Sequence, residues 1–216
     1  MAISKITNGG VANSGLPSGG LVLLDTKTVA SASAGTTSLQ LNNVFSADYQ
    51  NYRVNFDIVI VADAGRSTHT AMYIGFGNSG TIRTSGDAWA GACWYYQSNA
   101  AASGSFSGQA TDSCLLGGTG TVAELQFIGF SIINNPFSSS LPHEVKSDFL
   151  MSYTGLAANQ YEEHSFGVTT AANFSTTDIN FQGVTGVDTS TSNDVSALTK
   201  TNVYGTFKVY GIKDSF

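Results

Sequence analysis

The densest aromatic cluster of the chain lies in one short segment and consists of Trp89, Trp94, Tyr95 and Tyr96. Exposed aromatic rings give flat contact area for sugars and form the central contacts of protein interfaces, whereas buried rings only fill a core. If Ala92–Gln97 is a strand, alternation places Trp94 and Tyr96 on one face and Tyr95 on the other. One group is therefore expected to be buried, and the other is a candidate contact for a host receptor or surface glycan.

Histidines are the candidates for acid–base chemistry, and the chain has His69, His143 and His164. No G-x-S-x-G segment is present to position a serine nucleophile, and His143-Glu144 lacks the second histidine of a zinc protease. The segment Glu162-Glu-His164 could bind a cation with a distant carboxylate, but an exposed loop or strand edge is the simpler interpretation. Paired carboxylates for glycoside cleavage are spatial and cannot be derived from sequence. We expect no catalytic residue, cofactor or metal site, and hence no enzyme.

One glycine-rich segment, Gly75–Gly80, matches the letters of the dinucleotide-binding pattern G-x-G-x-x-G. That pattern binds a pyrophosphate only where it opens a helix. The following residues, Thr-Ile-Arg-Thr-Ser-Gly, do not favour a helix. The segment therefore predicts a β-turn at Gly77-Asn-Ser-Gly80 rather than a cofactor site.

The charge distribution argues against two classes of partner. The chain has 216 residues, a net charge of −6 and nine basic residues that are scattered singly. Nucleic-acid binding needs several cations on one face, and a membrane surface needs a polybasic patch. No run approaches the roughly 18 apolar residues of a membrane span. We expect no binding to nucleic acid and no membrane insertion.

The first residues and the cysteines indicate where the protein is made. The N-terminus has no apolar core of a signal peptide, so we expect synthesis in the cytoplasm. Cys93 and Cys114 are the only cysteines. Free thiols are favoured in that compartment, although a cross-strand disulfide remains open because spacing alone does not decide it.

Residues 1–20 differ in composition from the rest of the chain. They are rich in Gly, Ser and Asn and cannot bury much surface alone. One interpretation is a flexible tail, and the other is an extended arm that becomes ordered on a neighbouring subunit. In the second case Ile3, Lys5 and Ile6 are the candidate partner-binding residues. Residues 21–216 then form a single folded domain.

Alternation of apolar and polar residues predicts strands throughout residues 21–216. In Tyr49–Val61, Tyr52 and every second residue to Ile60 are apolar, so this is the clearest strand. A last strand is expected over Tyr204–Ile212, with Ile212 grouped with the core residues, and a mobile loop over Ser98–Gly108. No amphipathic helix is indicated. The predicted fold is all-β, a jelly-roll-like antiparallel β-sandwich with an extended N-terminal arm.

Five short segments resemble a large group of phage virion proteins, most of which are tail or structural proteins. They are Leu21–Val29, Val44–Val54 with its Tyr-x-Asn-Tyr, Met72–Gly80, Ile128–Pro136 and the Gly-Thr-Phe-Lys-Val-Tyr-Gly-Ile of residues 205–212. The resemblance touches most of residues 21–213, but residues 85–120 and 155–195 have no counterpart in it. It implies a β-sandwich module of a tail, fibre or capsid decoration, commonly trimeric, and supplies no catalytic or ligand-binding residue.

The resemblance also implies a place for the protein. The segment Ala2–Thr7 resembles a virion attachment segment. We expect a non-enzymatic virion structural protein, assembled in the host cytoplasm as a homotrimer and docked by its arm to a tail, portal-proximal or major capsid protein. A tail or fibre component is the leading hypothesis. The alternatives are a capsid decoration or head-fibre protein, and a host receptor- or glycan-binding module.

Overall fold

The structure is a computed structural model that describes residues 20–31, 36–61, 69–83, 89–97, 103–110, 113–118, 124–153, 160–169, 174–187 and 198–213. Every regular element in these ranges is a β-strand, which confirms the predicted all-β class. The strands are β1 Gly20–Val29, β2 Ser38–Leu41, β3 Asn51–Val61, β4 His69–Asn78, β5 Thr81–Ile82, β6 Trp89–Gln97, β7 Ser103–Ala110, β8 Ser113–Gly117, β9 Glu124–Asn134, β10 Glu144–Tyr153, β11 Gln160–Thr169, β12 Asp178–Val187 and β13 Thr199–Lys213.

The strands form a large and a small antiparallel sheet, as expected for a β-sandwich. The large sheet has the order β1-β13-β3-β9-β10-β11-β6-β7. In the small sheet, β4 and β12 are paired and are flanked by β2, β5 and β8. Strand β13 belongs to both sheets, because residues 199–201 pair with β12 and residues 202–212 pair with β3.

The core lies between the two sheets and is built from alternating residues. The apolar positions predicted for β3 are all buried; they are Tyr52, Val54, Phe56, Ile58 and Ile60. From the small sheet, the ring of Phe181 lies 4.9 Å from that of Phe207 on β13. The polar residues between the β3 core positions therefore lie on the outer face of the large sheet.

Segment Gly75–Gly80 forms the end of β4 and most of a hairpin turn, which lies one residue later than the predicted Gly77–Gly80. Asn78 pairs with Thr81, and the two turn residues Ser79 and Gly80 both have positive φ, at 53° and 85°. Two left-handed central residues match the right-handed twist of a hairpin. The Gly80 amide donates a hydrogen bond of 2.6 Å to the buried carboxylate of Asp178, which fixes the turn to β12.

Two details differ from the sequence prediction. Residues 103–108 of the predicted loop lie in strand β7, so the loop prediction over Ser98–Gly108 is wrong there. Ile212 is partly exposed on the same side as Tyr210, because alternation in β13 continues through the buried Gly211.

The Tyr-x-Asn-Tyr segment secures the turn that precedes β3. The Tyr52 hydroxyl donates to the Ser46 carbonyl and accepts from the Ser46 amide, both at 2.8 Å. The Phe45 ring meets the Tyr52 ring edge-on at 4.7 Å. The Tyr49 ring lies against Gly211, where any Cβ would overlap it. These aromatic residues are thus part of the fold.

Cys114 is free and buried on β8. Since the chain has only two cysteines, this structure contains no Cys93–Cys114 disulfide. Burial raises the pKa of the Cys114 thiol to about 12. The group therefore stays protonated at neutral pH and is a poor nucleophile.

His143 is buried between aromatic rings, and this predicts a pH dependence of stability. Its ring lies 4.5 Å from that of Phe174, and Nε2 lies 3.2 Å from the Ser138 carbonyl oxygen. Burial, and then the charge of Arg83, lower the pKa of His143 below its ordinary 6.5. The unfolded chain therefore binds a proton at higher pH than the folded chain, and the free energy of unfolding should fall as pH drops below about 6.5.

Urea unfolding between pH 5 and 8 measures this effect, with His143→Gln as the comparison. The variant should be less stable at pH 8 but should lose less stability on acidification. Equal losses in the variant and the wild type would assign the acid sensitivity to other groups.

Candidate binding surface on the large sheet

The predicted contact residues fall on different parts of the structure. The arm residues Ile3, Lys5 and Ile6 lie outside the described residues, and so does the rest of residues 1–19. Strand β1 begins at Gly20, next to the predicted domain boundary. The role of the arm therefore stays a prediction.

The aromatic cluster lies on β6, between β11 and β7, and its backbone register is defined. Trp94 pairs with His164, Tyr96 with Glu162, and Tyr95 with Glu163. The placement of the side chains of Trp89, Trp94, Tyr95 and Tyr96 lies outside what the structure describes. The register partner of Trp94, His164, is partly exposed, and the register partner of Tyr95, Glu163, is buried. Which of the four rings are exposed stays a prediction.

The outer face of the large sheet combines charged and aromatic side chains. The Arg53 guanidinium lies 4.1 Å from the centre of the Phe130 ring and donates to Asn55 Oδ1 at 2.8 Å. Next to Phe130 in the register, Asp148 Oδ1 is 2.6 Å from His164 Nδ1. The register partners on either side of this pair are Phe130 and Trp94.

The segment Glu162-Glu-His164 is divided between the two faces of the large sheet. Glu163 is fully buried on the inner face, whereas His164 lies on the outer face with Asp148. Alternation along β11 sends neighbouring residues to opposite sides of the sheet. Across the described ranges, no three His, Cys, Asp or Glu side chains are grouped to hold a metal ion. The same residues include no helix that is long and apolar enough to cross a membrane.

A groove of about 400 Å³ opens on the outer face, where β1 ends beside β13, β3 and β9. One row across it consists of Thr28, Thr206 and Asp57, which are direct register partners. The next row contains Val59, which pairs with both Tyr204 and Gln126. Val59 is only 7% exposed and forms an apolar floor. The groove therefore has an apolar base, an aromatic ring and a polar rim.

Two hydrogen bonds fix the polar rim. Gln126 Nε2 donates to Asp57 Oδ1 at 2.8 Å, and the hydroxyls of Thr28 and Thr206 are 3.0 Å apart. Partial burial, and then the charge of Glu124, raise the pKa of the Tyr204 phenol, which is therefore neutral at physiological pH. The residues that line the groove include one carboxylate and no lysine or arginine.

Sequence reasoning missed this groove. Alternation does place Asp57 on the outer face of β3 and Tyr204 on that of β13. What it does not give is the order of the strands, because β1 and β13 are joined across 178 positions of sequence at Thr28 and Thr206. No local pattern identifies such a neighbour.

No protein-family model and no curated protein matches the sequence. Two solved structures overlap it weakly. The CBM2 module of the evolved Dit of Lactobacillus casei BL23 phage J-1 is 7% identical, with a TM-score of 0.25 over 83% of this chain and 70% of that one. The carbohydrate recognition domain of Emp46p, in its potassium-bound form, is 9% identical, with a TM-score of 0.23 over 87% and 88%. At these TM-scores neither overlap supports a conclusion about this chain.

Proposed function

We propose that this chain is a non-enzymatic structural protein of a phage particle, a trimeric tail or fibre component that its N-terminal arm attaches to the particle. The observation that carries the proposal is where the five resembling segments lie in the fold. They contribute β1, β3, β4, β9 and β13, and four of these strands are consecutive neighbours in the order β1-β13-β3-β9. Segments far apart in sequence thus form one continuous part of the large sheet.

The side chains of these segments support a structural role. The Tyr52 hydroxyl closes its turn on Ser46, and the Tyr49 ring fills the space above Gly211 in the closing strand. The resemblance therefore concerns residues that hold the sandwich together. Such a scaffold suits a protein whose task is assembly, in which an arm that becomes ordered on docking gives specific attachment and several arms in one oligomer add avidity.

Deletion of residues 2–19 tests the arm. Strand β1 begins at Gly20, so the deletion leaves the described strands intact, and the thermal melt of the purified protein should change little. Phage carrying the deletion should lose the protein from purified particles, as measured by immunoblot. A matched control replaces residues 2–19 by a shuffled sequence of the same composition and should fail equally. Normal incorporation of the deleted protein would disprove attachment through the arm.

Two further measurements address the other parts of the proposal. Immunogold labelling with an antibody against the sandwich should mark the tail, and gold over the head would favour the alternative of a capsid decoration or head-fibre protein. Sedimentation velocity should show three times the chain mass of 22.5 kDa. A species of 22.5 kDa alone at micromolar concentration would contradict a trimer in solution.

A further inference from the structure

We propose that the groove at the end of β1 binds a neutral saccharide. The site stands independently of the virion role, because it depends only on the contacts within the groove. A pyranose ring has one apolar C–H face and a rim of hydroxyl groups. The groove presents the matching surfaces, since Val59 forms an apolar floor and the Tyr204 ring lies beside it in the register. Its volume of about 400 Å³ lies within the ordinary range for small-ligand sites.

The polar rim is fixed before a ligand arrives. The bond from Gln126 Nε2 to Asp57 Oδ1 holds two planar groups in one orientation. This arrangement leaves Asp57 Oδ2 and Gln126 Oε1 as acceptors, and the second Nε2 hydrogen of Gln126 as a donor. Adjacent donors and acceptors on planar groups suit the neighbouring hydroxyls of a sugar. Because the side chains are already ordered, binding costs little side-chain entropy.

The two threonine hydroxyls complete the rim on the opposite side. Thr28 Oγ1 and Thr206 Oγ1 share one hydrogen bond of 3.0 Å, so one proton and several lone pairs remain for a ligand. A ligand between these hydroxyls and Gln126 would lie across β13 and β3 on the floor formed by Val59. Such a ligand needs hydroxyl groups on two sides of one ring.

The charge of the groove selects among saccharides. Asp57 contributes a carboxylate to the lining, and the charge of Glu124 acts on Tyr204. No lysine or arginine lines the groove to balance them. A uronic acid, a sialic acid or a phosphorylated sugar would meet like charge at short range. Neutral hexoses and N-acetylhexosamines are therefore the expected ligands.

Saturation-transfer NMR on the full chain tests the site. The probes are the methyl glycosides of glucose, galactose, mannose and N-acetylglucosamine, with the methyl glycosides of glucuronic acid and sialic acid as acidic counterparts. At least one neutral probe should bind, with a dissociation constant on the order of 1 mM. The same probe should shift the methyl resonances of Val59. Binding of acidic probes only, or of none, would overturn the site.

Variants on one strand separate the groove from the rest of the sheet. Tyr204→Ala should weaken binding by at least about 5-fold, because it removes the stacking ring. Tyr210→Ala is the matched control, since Tyr210 lies on the same strand and face and is also partly exposed. Asp57→Asn should narrow the preference for neutral over acidic probes. If Tyr204→Ala bound the saccharide as tightly as the wild type, or if both tyrosine variants lost affinity equally, the ligand would bind outside the groove. If Trp94→Ala lost saccharide binding while Tyr204→Ala kept it in full, the binding site would lie on β6 instead.

Discussion

Replacing Gly205 by alanine should destabilise the sandwich by about 3 kcal/mol or more. Gly205 has a φ of +128°, which residues with a side chain rarely adopt, and a Cβ at this position would overlap the Asp57 carbonyl oxygen on β3. The obstacle is backbone within a sheet, so it cannot move aside as a flexible side chain would. Urea unfolding of the purified variant measures the loss as a shift of the midpoint at constant slope.

Two other glycines separate backbone strain from steric overlap. Gly186 has a φ of +91°, but a Cβ added to it would meet nothing closer than Leu198 Cδ2 at 3.8 Å. Gly186→Ala should therefore cost only the strain, about 1 kcal/mol. Gly20 has no atom within 4 Å of such a Cβ, and Gly20→Ala should be close to neutral. A loss for Gly205→Ala no larger than that for Gly186→Ala would contradict the overlap with β3.

Removing the Asp178 carboxylate should have a second large effect, a loss of about 4 kcal/mol for Asp178→Ala. The carboxylate is fully buried and accepts three hydrogen bonds: 2.6 Å from the Gly80 amide, 2.9 Å from the Asn43 amide and 2.7 Å from Thr177 Oγ1. Asn43 and Gly80 both lie in turns with positive φ. Without the carboxylate, these donors are left without their acceptor and both turns lose their tie to β12.

The conservative variant tests the charge and the geometry together. Asp178→Asn keeps the volume but turns one acceptor into a donor, so it should lose about half as much as Asp178→Ala. The matched control is Asp148→Asn, where an exposed carboxylate faces His164. Exposed ion pairs contribute less than about 1 kcal/mol. Equal losses for Asp178→Asn and Asp148→Asn in urea unfolding would show that the buried bonds contribute little.

Local patterns predicted the strands well and the arrangement of strands poorly. Alternation over β3 indicated the buried face from Tyr52 to Ile60, and the turn residues indicated the hairpin at Ser79 and Gly80. It failed where small residues dominate, as in β7, because Ser, Gly and Ala carry little apolar contrast between two faces. It also misplaced Ile212, since Gly211 has no side chain to mark its position in the alternation.

The groove could not be predicted from local sequence for a related reason. The cluster Trp89–Tyr96 is visible in the sequence, because its four large aromatic residues lie in one segment. The groove needs Asp57, Gln126 and Tyr204 to meet from three separate strands. Each of them is ordinary in its own segment. Their meeting follows from the pairing of β13 with β3 and of β3 with β9.

Because β13 belongs to both sheets, the protein cannot complete either sheet during synthesis until this strand has been made. Among the described strands, β13 alone pairs with strands of both sheets, and it also separates β1 from β3. It follows all the other described strands along the chain, so β1, β3 and β12 leave the ribosome before the strand they pair with exists. The unpaired edges of these strands must avoid aggregation during that interval. Pairing with β13 then joins residues that are separated by most of the chain, and such long-range contacts make folding slow. Aggregation should therefore compete most strongly with folding before residues 199–213 are available.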